Sequence, residues 1–340
     1  MSDYVSNITL QQLAQRILAA DRVMITTHMK PDGDAMGAVL ALARALTAKQ
    51  KTAHIYLMGP IERNLITIAG QTPFRLVEHE MPGDDYDLAI VVDTGAWSQL
   101  EPLTPWLKKH QDRIVGVDHH TRGDDVASAR FIQPKAVSTT AVLVPLLDEM
   151  QCELTCGIGG VAEALFVGLA TDSGWFQYEN AGPEAFALAA RLLACDVNKS
   201  RLYQILEETF GPQRLALEAR ALASIEYARA GSVAIQSLRM EDFQIAGASQ
   251  EDVTGLVNTP MTVGTVRVSI LLTQTSPGLT KISFRSKPPP PDGRPNDFID
   301  VNALAQQFGG GGHVHAAGAR MKKDLNETKA AVLAAIAAMN

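Results

Sequence analysis

Apolar and polar positions follow helix and strand periods in turn along the first two hundred residues. Short apolar runs occupy residues 23–27 (VMITT), 53–58, Leu88–Val92 (LAIVV) and 114–117 (IVGV). Runs this short, closed off by turn-forming residues, read as strands buried on both faces. Between and after them lie longer segments with helical spacing, at 35–49, after Pro60, at 139–150, 159–170, Pro183–Leu193 and 213–229. Strands alternating with helices predict βαβ units and a mainly parallel sheet flanked by helices. The pattern changes near residue 230. Residues 232–238, 265–273 and Leu279–Ser286 alternate with the period of two of a half-buried strand, and the last two flank a TSPG turn that predicts a hairpin. A helical stretch at 300–308, a run of four glycines and an Ala-rich helix complete the chain. The expectation is an α/β domain over 1–200, a helical connector over 201–229 and a smaller α+β domain over 230–340.

Composition adds limits. At 340 residues and 46% hydrophobic, the chain can bury a core without disulfides or a structural metal. Its 37 acids exceed its 30 bases, for a net charge of −7. That argues against the clustered Lys/Arg of a long duplex-binding groove and leaves room for a small nucleotide held by a few charges. Cys152, Cys156 and Cys195 form no even framework and read as reduced thiols. The opening MSDYVSNITLQQLAQRIL carries acids and an amphipathic pattern where a signal peptide would be basic and then apolar. No run approaches the roughly 18 apolar residues of a membrane span. A cytoplasmic location is therefore expected. The KPPPPDGRPND segment, 287–297, reads as a stiff surface excursion.

The residues able to do chemistry gather at the predicted strand ends. The first strand runs into His28 and Pro31-Asp32-Gly33-Asp34, the third ends at Asp93, and the fourth at Asp118-His119-His120. Asp172 follows a predicted helix in the phrase ATDSGWF. Parallel sheets bind ligands at the carboxyl ends of their strands, so these loops should converge. Four carboxylates placed together repel and cannot all ionise alone, and divalent cations remove that cost. Carboxylates and imidazoles without thiolates suit Mn²⁺, Mg²⁺, Fe²⁺ or Zn²⁺, and an oxygen-rich set favours Mn²⁺ or Mg²⁺. A carboxylate bridging two cations would build a site for in-line displacement at phosphorus. Taken singly, PDGD also reads as a helix N-cap and DHH as a surface charge cluster. Their joint placement at element ends favours a site.

HMKPDGDAMGA, Asp93 in VVDTG, DHH, and Asp172 in ATDSGWF resemble, in order, the four motifs of the DHH phosphoesterase superfamily. Residues 308–320 (FGGGGHVHAAGAR) resemble the signature of the DHHA1 domain that follows in one branch, and KISFRSK, 281–287, resembles its arginine-bearing strand. By size and pairing the chain is similar to the stand-alone bifunctional oligoribonucleases and PAP phosphatases of that DHH/DHHA1 family. The resemblance implies a DHH catalytic domain, a DHHA1 substrate-binding domain and an active-site cleft between them. It implies that His28, Asp32 and Asp93 hold one divalent ion, and that Asp34, Asp93, His119 and Asp172 hold a second, most simply Mn²⁺. Asp118 would orient the histidines, since ligand imidazoles donate their other N–H to a carboxylate, and His120 would face the substrate phosphate. Gly310, Gly311 and Gly312, with Gly309, would present backbone N–H groups to a phosphate, and His313 would add a donor. Arg285 is the candidate clamp, Arg320 a further phosphate contact, and His315 is read as substrate-side or incidental rather than as a metal ligand.

The implied activity is hydrolysis of short oligoribonucleotides to mononucleotides, and of 3′-phosphoadenosine 5′-phosphate to AMP, by a hydroxide activated by two metals. The implied partners are short single-stranded RNA or nucleotides, with a homodimer as a further option and neither long duplex nucleic acid nor membrane. A cyclic- or linear-dinucleotide phosphodiesterase is the main alternative, and a catalytically silent nucleotide-binding protein a more distant one. A nicotinamide dehydrogenase is excluded because the first turn carries PDGD instead of G-x-G-x-x-G. The proline-rich 287–297 segment and the aromatics Trp175 and Phe176 depart from the family pattern, the first bearing on substrate length. Trp175 and Phe176 are expected to pack behind the metal ligands rather than stack a base.

Overall fold

Alternate residues of each short apolar run are buried on opposite faces of one sheet. The computed structural model describes residues 4–289 and 299–338, with the His313 side chain outside that description. It divides into two units, one ending at Thr209 and the other beginning at Phe210.

The first unit runs α1 (Leu10–Ala19), β1 (Arg22–Thr26), α2 (Gly33–Ala48), β2 (Thr52–Leu57), α3 (Arg63–Ala69), β3 (Phe74–Leu76), β4 (Leu88–Val92), α4 (Thr104–Lys109), β5 (Ile114–Asp118) and β6 (Ala129–Ile132). Helices α5 (Thr139–Glu149), α6 (Val161–Asp172), α7 (Pro183–Leu193) and α8 (Lys199–Glu207) follow. The strands form one sheet in the order β3-β2-β1-β4-β5-β6, and each pairing is parallel. Val23, Ile25, Ile90, Val92, Val115 and Val117 join the core under α1, α2, α5 and α6. Met24, Tyr56, Ala89, Val91 and Ile114 join a second core with Trp106 and Leu107 of α4. Burial on both faces is why these strands read as continuous apolar runs. The strand order reverses direction between β1 and β4, and such a switch point opens a crevice at the strands' carboxyl ends.

The second unit contains α9 (Pro212–Ala223), β7 (Glu226–Ala228), β8 (Val233–Leu238), α10 (Met240–Ala246), β9 (Val268–Ser276), β10 (Leu279–Ser286), α11 (Val301–Gln306), β11 (Gly311–His313), β12 (Ala316–Met321) and α12 (Leu325–Ala338). Its sheet has the order β11-β12-β10-β9-β8-β7, antiparallel except for the parallel β8–β9 pair. Ile282, Phe284, Ala317 and Ala319 face a core closed by α11 and α12. Leu238 and Leu271 face a smaller one closed by α9 and α10. The predicted hairpin forms between β9 and β10, with Gly278 at φ +71° in its turn.

Two expectations are corrected. The helix expected over 213–229 ends at Ala223, and Glu226–Ala228 pair with β8 instead. The Ser224 hydroxyl accepts the Ser237 amide, and this turns the chain onto the sheet edge against its local helix preference. The stretch 201–229 is divided between the units, because α8 packs on α3 whereas α9 packs on β8 and α10. Most of the proline segment lies outside the described residues. Among the described residues, no helix is long and apolar enough to cross a membrane.

Candidate active site

Five elements of the first unit deliver the candidate residues. His28 follows β1, and Asp32 caps α2, its Oδ1 accepting the amides of Asp34 and Ala35 at 3.0 Å each. Asp34 therefore stands in the first turn of α2 rather than in a loop. Asp93 follows β4 with a left-handed backbone, φ +61°. Asp118 ends β5, and His119 and His120 follow it. Asp172 is the last residue of α6, not a loop residue beyond it. The helix runs two residues past its last apolar position, and its Ser173 hydroxyl bonds back to Leu169.

Asp93, only 3% exposed, stands at the centre. Its Oδ2 lies 3.6 Å from His28 Nε2, and its Oδ1 lies 3.7 Å from His119 Nε2. His28 Nε2 is also 3.9 Å from Asp32, and His119 Nε2 is 3.5 Å from Asp172. Two compact groups result, His28–Asp32–Asp93 and Asp34–His119–Asp172. A third possible grouping, Asp93–His119–His120, uses His120 Nδ1, which instead meets Asp118 Oδ1 at 2.7 Å.

Backbone carbonyls set the two other imidazoles. His28 Nδ1 donates to Met29 at 3.0 Å and His119 Nδ1 to Ala136 at 3.1 Å. Each Nε2 is left with its lone pair directed at the carboxylates, the tautomer a metal-binding histidine needs. The separations from imidazole to carboxylate are too long for hydrogen bonds and suit donors around a shared first-row cation.

Residues without any motif hold the acids in place. Thr139 N donates to Asp34 Oδ2 at 2.6 Å, and Thr140 gives Asp34 Oδ1 both its amide, at 3.0 Å, and its hydroxyl, at 2.8 Å. The Thr139 hydroxyl reaches Asp93 Oδ1 at 2.9 Å. These donors stand at the start of α5, where unpaired amides and the helix dipole favour an anion. Gly33, Gly37 and Gly168 let α2 and α6 approach, since a Cβ on any of them would fall inside 3.0 Å of the facing helix or of Thr140 and Asp34.

Burial and mutual repulsion penalise these charges. Burial, then the charges of Asp34, Asp32 and Asp118, push the Asp93 carboxyl far above the ordinary range. Burial raises Asp34 as well. Asp172 is pushed up to about 7 by burial and by Asp34 and Asp32. Such a cluster suits multivalent cations, which would offset the mutual repulsion of these acids. Asp118 behaves differently. Burial works to raise it, but the hydrogen bonds and charge of His120, with the Tyr4 hydroxyl, hold it below its usual value. His120 is raised in turn, first by its bond to Asp118.

In the second unit, Lys281, Ser283 and Arg285 occupy the face of β10 opposite Ile282 and Phe284. The register sets Arg285 beside Ala316 of β12, and Ala316 beside the His313 position of β11, while Arg320 pairs with Lys281. Arg285 and Arg320 thus share the face away from the core. The four-glycine phosphate cradle is corrected in part. The amides of Gly309 and Gly310 donate to Gln306 and Ala305 and close the end of α11, so they are not open to a ligand. Gly311 and Gly312 lie in β11, the outer strand of the sheet. His315 sits in the turn before β12, its Nδ1 3.1 Å from the Ser286 hydroxyl. Trp175 and Phe176 pack on Phe166, with Trp175 Nε1 bonded to Glu207 at 2.9 Å.

Sequence reasoning missed Tyr4, Thr139 and Thr140. Only the Ser138-Thr-Thr cap pattern offered a signal for the threonines, and nothing local marked Tyr4.

Residues 22–169 match the DHH family, N-terminal domain, and residues 231–339 match the DHHA1 domain. The chain is 30% identical over 318 residues to the bifunctional oligoribonuclease and PAP phosphatase NrnA of Thermus thermophilus, covering 92% of this chain and 89% of that one. It is 25% identical over 331 residues to the cyclic-di-AMP phosphodiesterase PdeA of Listeria monocytogenes, of which it spans 47%. Its fold is similar to that of an exopolyphosphatase-related protein from Bacteroides fragilis, with a TM-score of 0.87 at 22% identity over 99% of this chain and 98% of that one.

Proposed function

The chain belongs to the DHH family, with a DHHA1 domain after it, and from that premise we propose that it is a metal-dependent phosphoesterase of short oligoribonucleotides and 3′-phosphoadenosine 5′-phosphate. The products would be mononucleotides and AMP. The observation that carries this reading is the position of buried Asp93, within reach of two separate imidazole–carboxylate groups.

We assign His28, Asp32 and Asp93 to one divalent ion and Asp34, Asp93, His119 and Asp172 to a second. The oxygen-rich, thiolate-free donor set favours Mn²⁺ or Mg²⁺. Divalent ions held there would supply charge neutralisation for the carboxylates and Lewis-acid activation of a water and a phosphoryl group. The chain's own residues do the rest. Thr139 and Thr140 fix Asp34 and Asp93 so that their oxygens need no reorganisation when substrate arrives. Asp118 keeps Nδ1 of His120 protonated and favours the cationic ring, which is suited to offset charge growing on the phosphoryl oxygens. On the second unit, Arg285, Arg320, His313 and the outer edge of β11 at Gly311 and Gly312 are the candidate substrate-binding positions. A cytoplasmic site of action goes with substrates of this kind.

The test is incubation with Mn²⁺ and a panel of 3′-phosphoadenosine 5′-phosphate, labelled RNA from dinucleotide upward, cyclic di-AMP and pyrophosphate. Fastest release of mononucleotides from the shortest RNAs, together with AMP from the bisphosphate, supports the reading. Turnover of cyclic di-AMP alone would replace it with the cyclic-dinucleotide activity of the Listeria relative. Hydrolysis of none of the four would end it.

A further inference from the structure

The segment before α1 lies along the outer strand β6. The Ser6 hydroxyl donates to Ile132 O and accepts Ile132 N, both at 2.8 Å. Asn7 N donates to Arg130 O at 3.0 Å, Arg130 N to Asn7 Oδ1 at 2.7 Å, and Arg130 Nε to Val5 O at 3.1 Å. So many bonds to one strand leave the segment little freedom, and they carry Tyr4 over the end of the sheet.

There the phenol ring fits between two glycines of the site loops. Gly95 follows Asp93 by two positions, Gly123 follows His120 by three, and a Cβ on either would fall inside 3.0 Å of the Tyr4 ring. The ring ends with its hydroxyl donating to Asp118 Oδ2 at 2.7 Å. Asp118 is fully buried, and its other oxygen already accepts His119 N at 2.7 Å, His120 N at 3.1 Å and His120 Nδ1 at 2.7 Å.

We infer that Tyr4 is a positioning residue for hydrolysis: its hydroxyl anchors Asp118 Oδ2, and so holds Oδ1 on the three N–H groups that aim His119 and His120. A carboxylate is planar, so fixing one oxygen fixes the other. Without the phenol, Oδ2 is buried with a donor missing, and the group gains by rotating to share its remaining partners. Rotation moves Oδ1 away from Nδ1 of His120 and loosens the ring that faces substrate. Tyr4 lies outside residues 22–169, so the match to the DHH family does not account for it. The inference rests on the role proposed above for His120.

Tyr4→Phe separates the hydroxyl from the packing, because the ring still fills the space between Gly95 and Gly123. With Mn²⁺ and a labelled dinucleotide, Y4F is expected to fold with a melting temperature near that of the parent. Its kcat should fall by about ten- to a hundredfold, as for other residues that orient ligand imidazoles, with KM changed less than about twofold. Asp118→Asn should be strongly impaired, and adding Y4F to it should cost less than about twofold more, since both changes act through one carboxylate. Tyr4→Ala serves as the packing control and should lower stability as well. A kcat for Y4F within twofold of the parent would overturn the inference, as would a full extra loss in the Asp118→Asn background. Parent-like turnover by His120→Ala would overturn the role of His120, and this inference with it. An inactive His120→Ala beside a fully active Y4F would overturn the role of Tyr4 alone.

Discussion

Gly168 of α6 faces Asp34 of α2 so closely that a Cβ on it would fall inside 3.0 Å of Asp34 Oδ1 and of the Thr140 side chain bound to that oxygen. The glycine sets how near α6 can bring Asp172 to the other ligands. Gly168→Ala must therefore push Asp34 or α6 aside. Overpacking of this kind costs about 1–3 kcal/mol. For a unit of this size the melting temperature should drop by roughly 2–12 °C. The larger effect should be on cation binding, because the displaced atom is a proposed ligand. Calorimetric titration with Mn²⁺ should show the affinity reduced at least tenfold, and unchanged affinity would show that α6 yields without moving Asp34.

Asp93 presents the opposite case, a residue whose removal should strengthen the metal-free protein. Burial and neighbouring acids oppose its charge, so Asp93→Asn keeps the shape and removes the penalty. The metal-free variant should melt higher than the parent at pH 8, gain little from added Mn²⁺, and lose turnover by at least a thousandfold. This is the trade of stability for function expected at a charged site. Near-normal turnover with Mn²⁺ would remove Asp93 from the centre of the mechanism.

The pH dependence of stability follows from the same acids. Asp172 titrates at about 7 in the folded chain against an ordinary 3.8. The folded state therefore binds more protons than the unfolded state in between, and stability must fall as pH rises. Its contribution is complete below about pH 4 and is lost progressively up to about pH 7, with Asp34 and Asp93 acting in the same direction. In EDTA the melting temperature should decline from pH 5 to pH 8. Saturating Mn²⁺ should reverse the slope, because cations compete with protons for these ligands. Parallel slopes with and without the ion would contradict cation binding by these carboxylates.

How the sequence disclosed this site follows from the physics of its parts. The strands of the first unit are buried on both faces, so their apolar runs and the polar residues closing them stand out, and His28, Asp93 and Asp118-His119-His120 fall at the predicted ends. Thr139 and Thr140 act on Asp34 from 105 and 106 residues away, and Tyr4 on Asp118 from 114, so only folding reveals these contacts. Apolar spacing stops before α6 does, so the sequence alone places Asp172 beyond the helix. The glycine run was ambiguous for a local reason: an open phosphate cradle, a helix cap and a tight strand all call for glycine.

That ambiguity yields a last contrast, between Gly310 and Arg285. A Cβ at Gly310 would fall inside 3.0 Å of the Gly318 carbonyl and of Ala319, and the Gly310 amide caps α11. Gly310→Ala should therefore act through packing: α11 and β12 must separate, and the melting temperature of the second unit should fall by several degrees. Arg285 lies on the sheet face away from that core, and its Nη1 donates to its neighbour's carbonyl, Phe284 O, at 2.9 Å. Arg285→Ala should raise KM for a dinucleotide about tenfold or more, with kcat little altered, the mark of an interaction shared by ground and transition states. Melting curves and steady-state kinetics on the two variants decide the matter together. A Gly310→Ala protein that melts like the parent but binds substrate poorly would restore the glycine at 310 to a phosphate-binding role, and would mean that α11 gives up its cap when substrate binds.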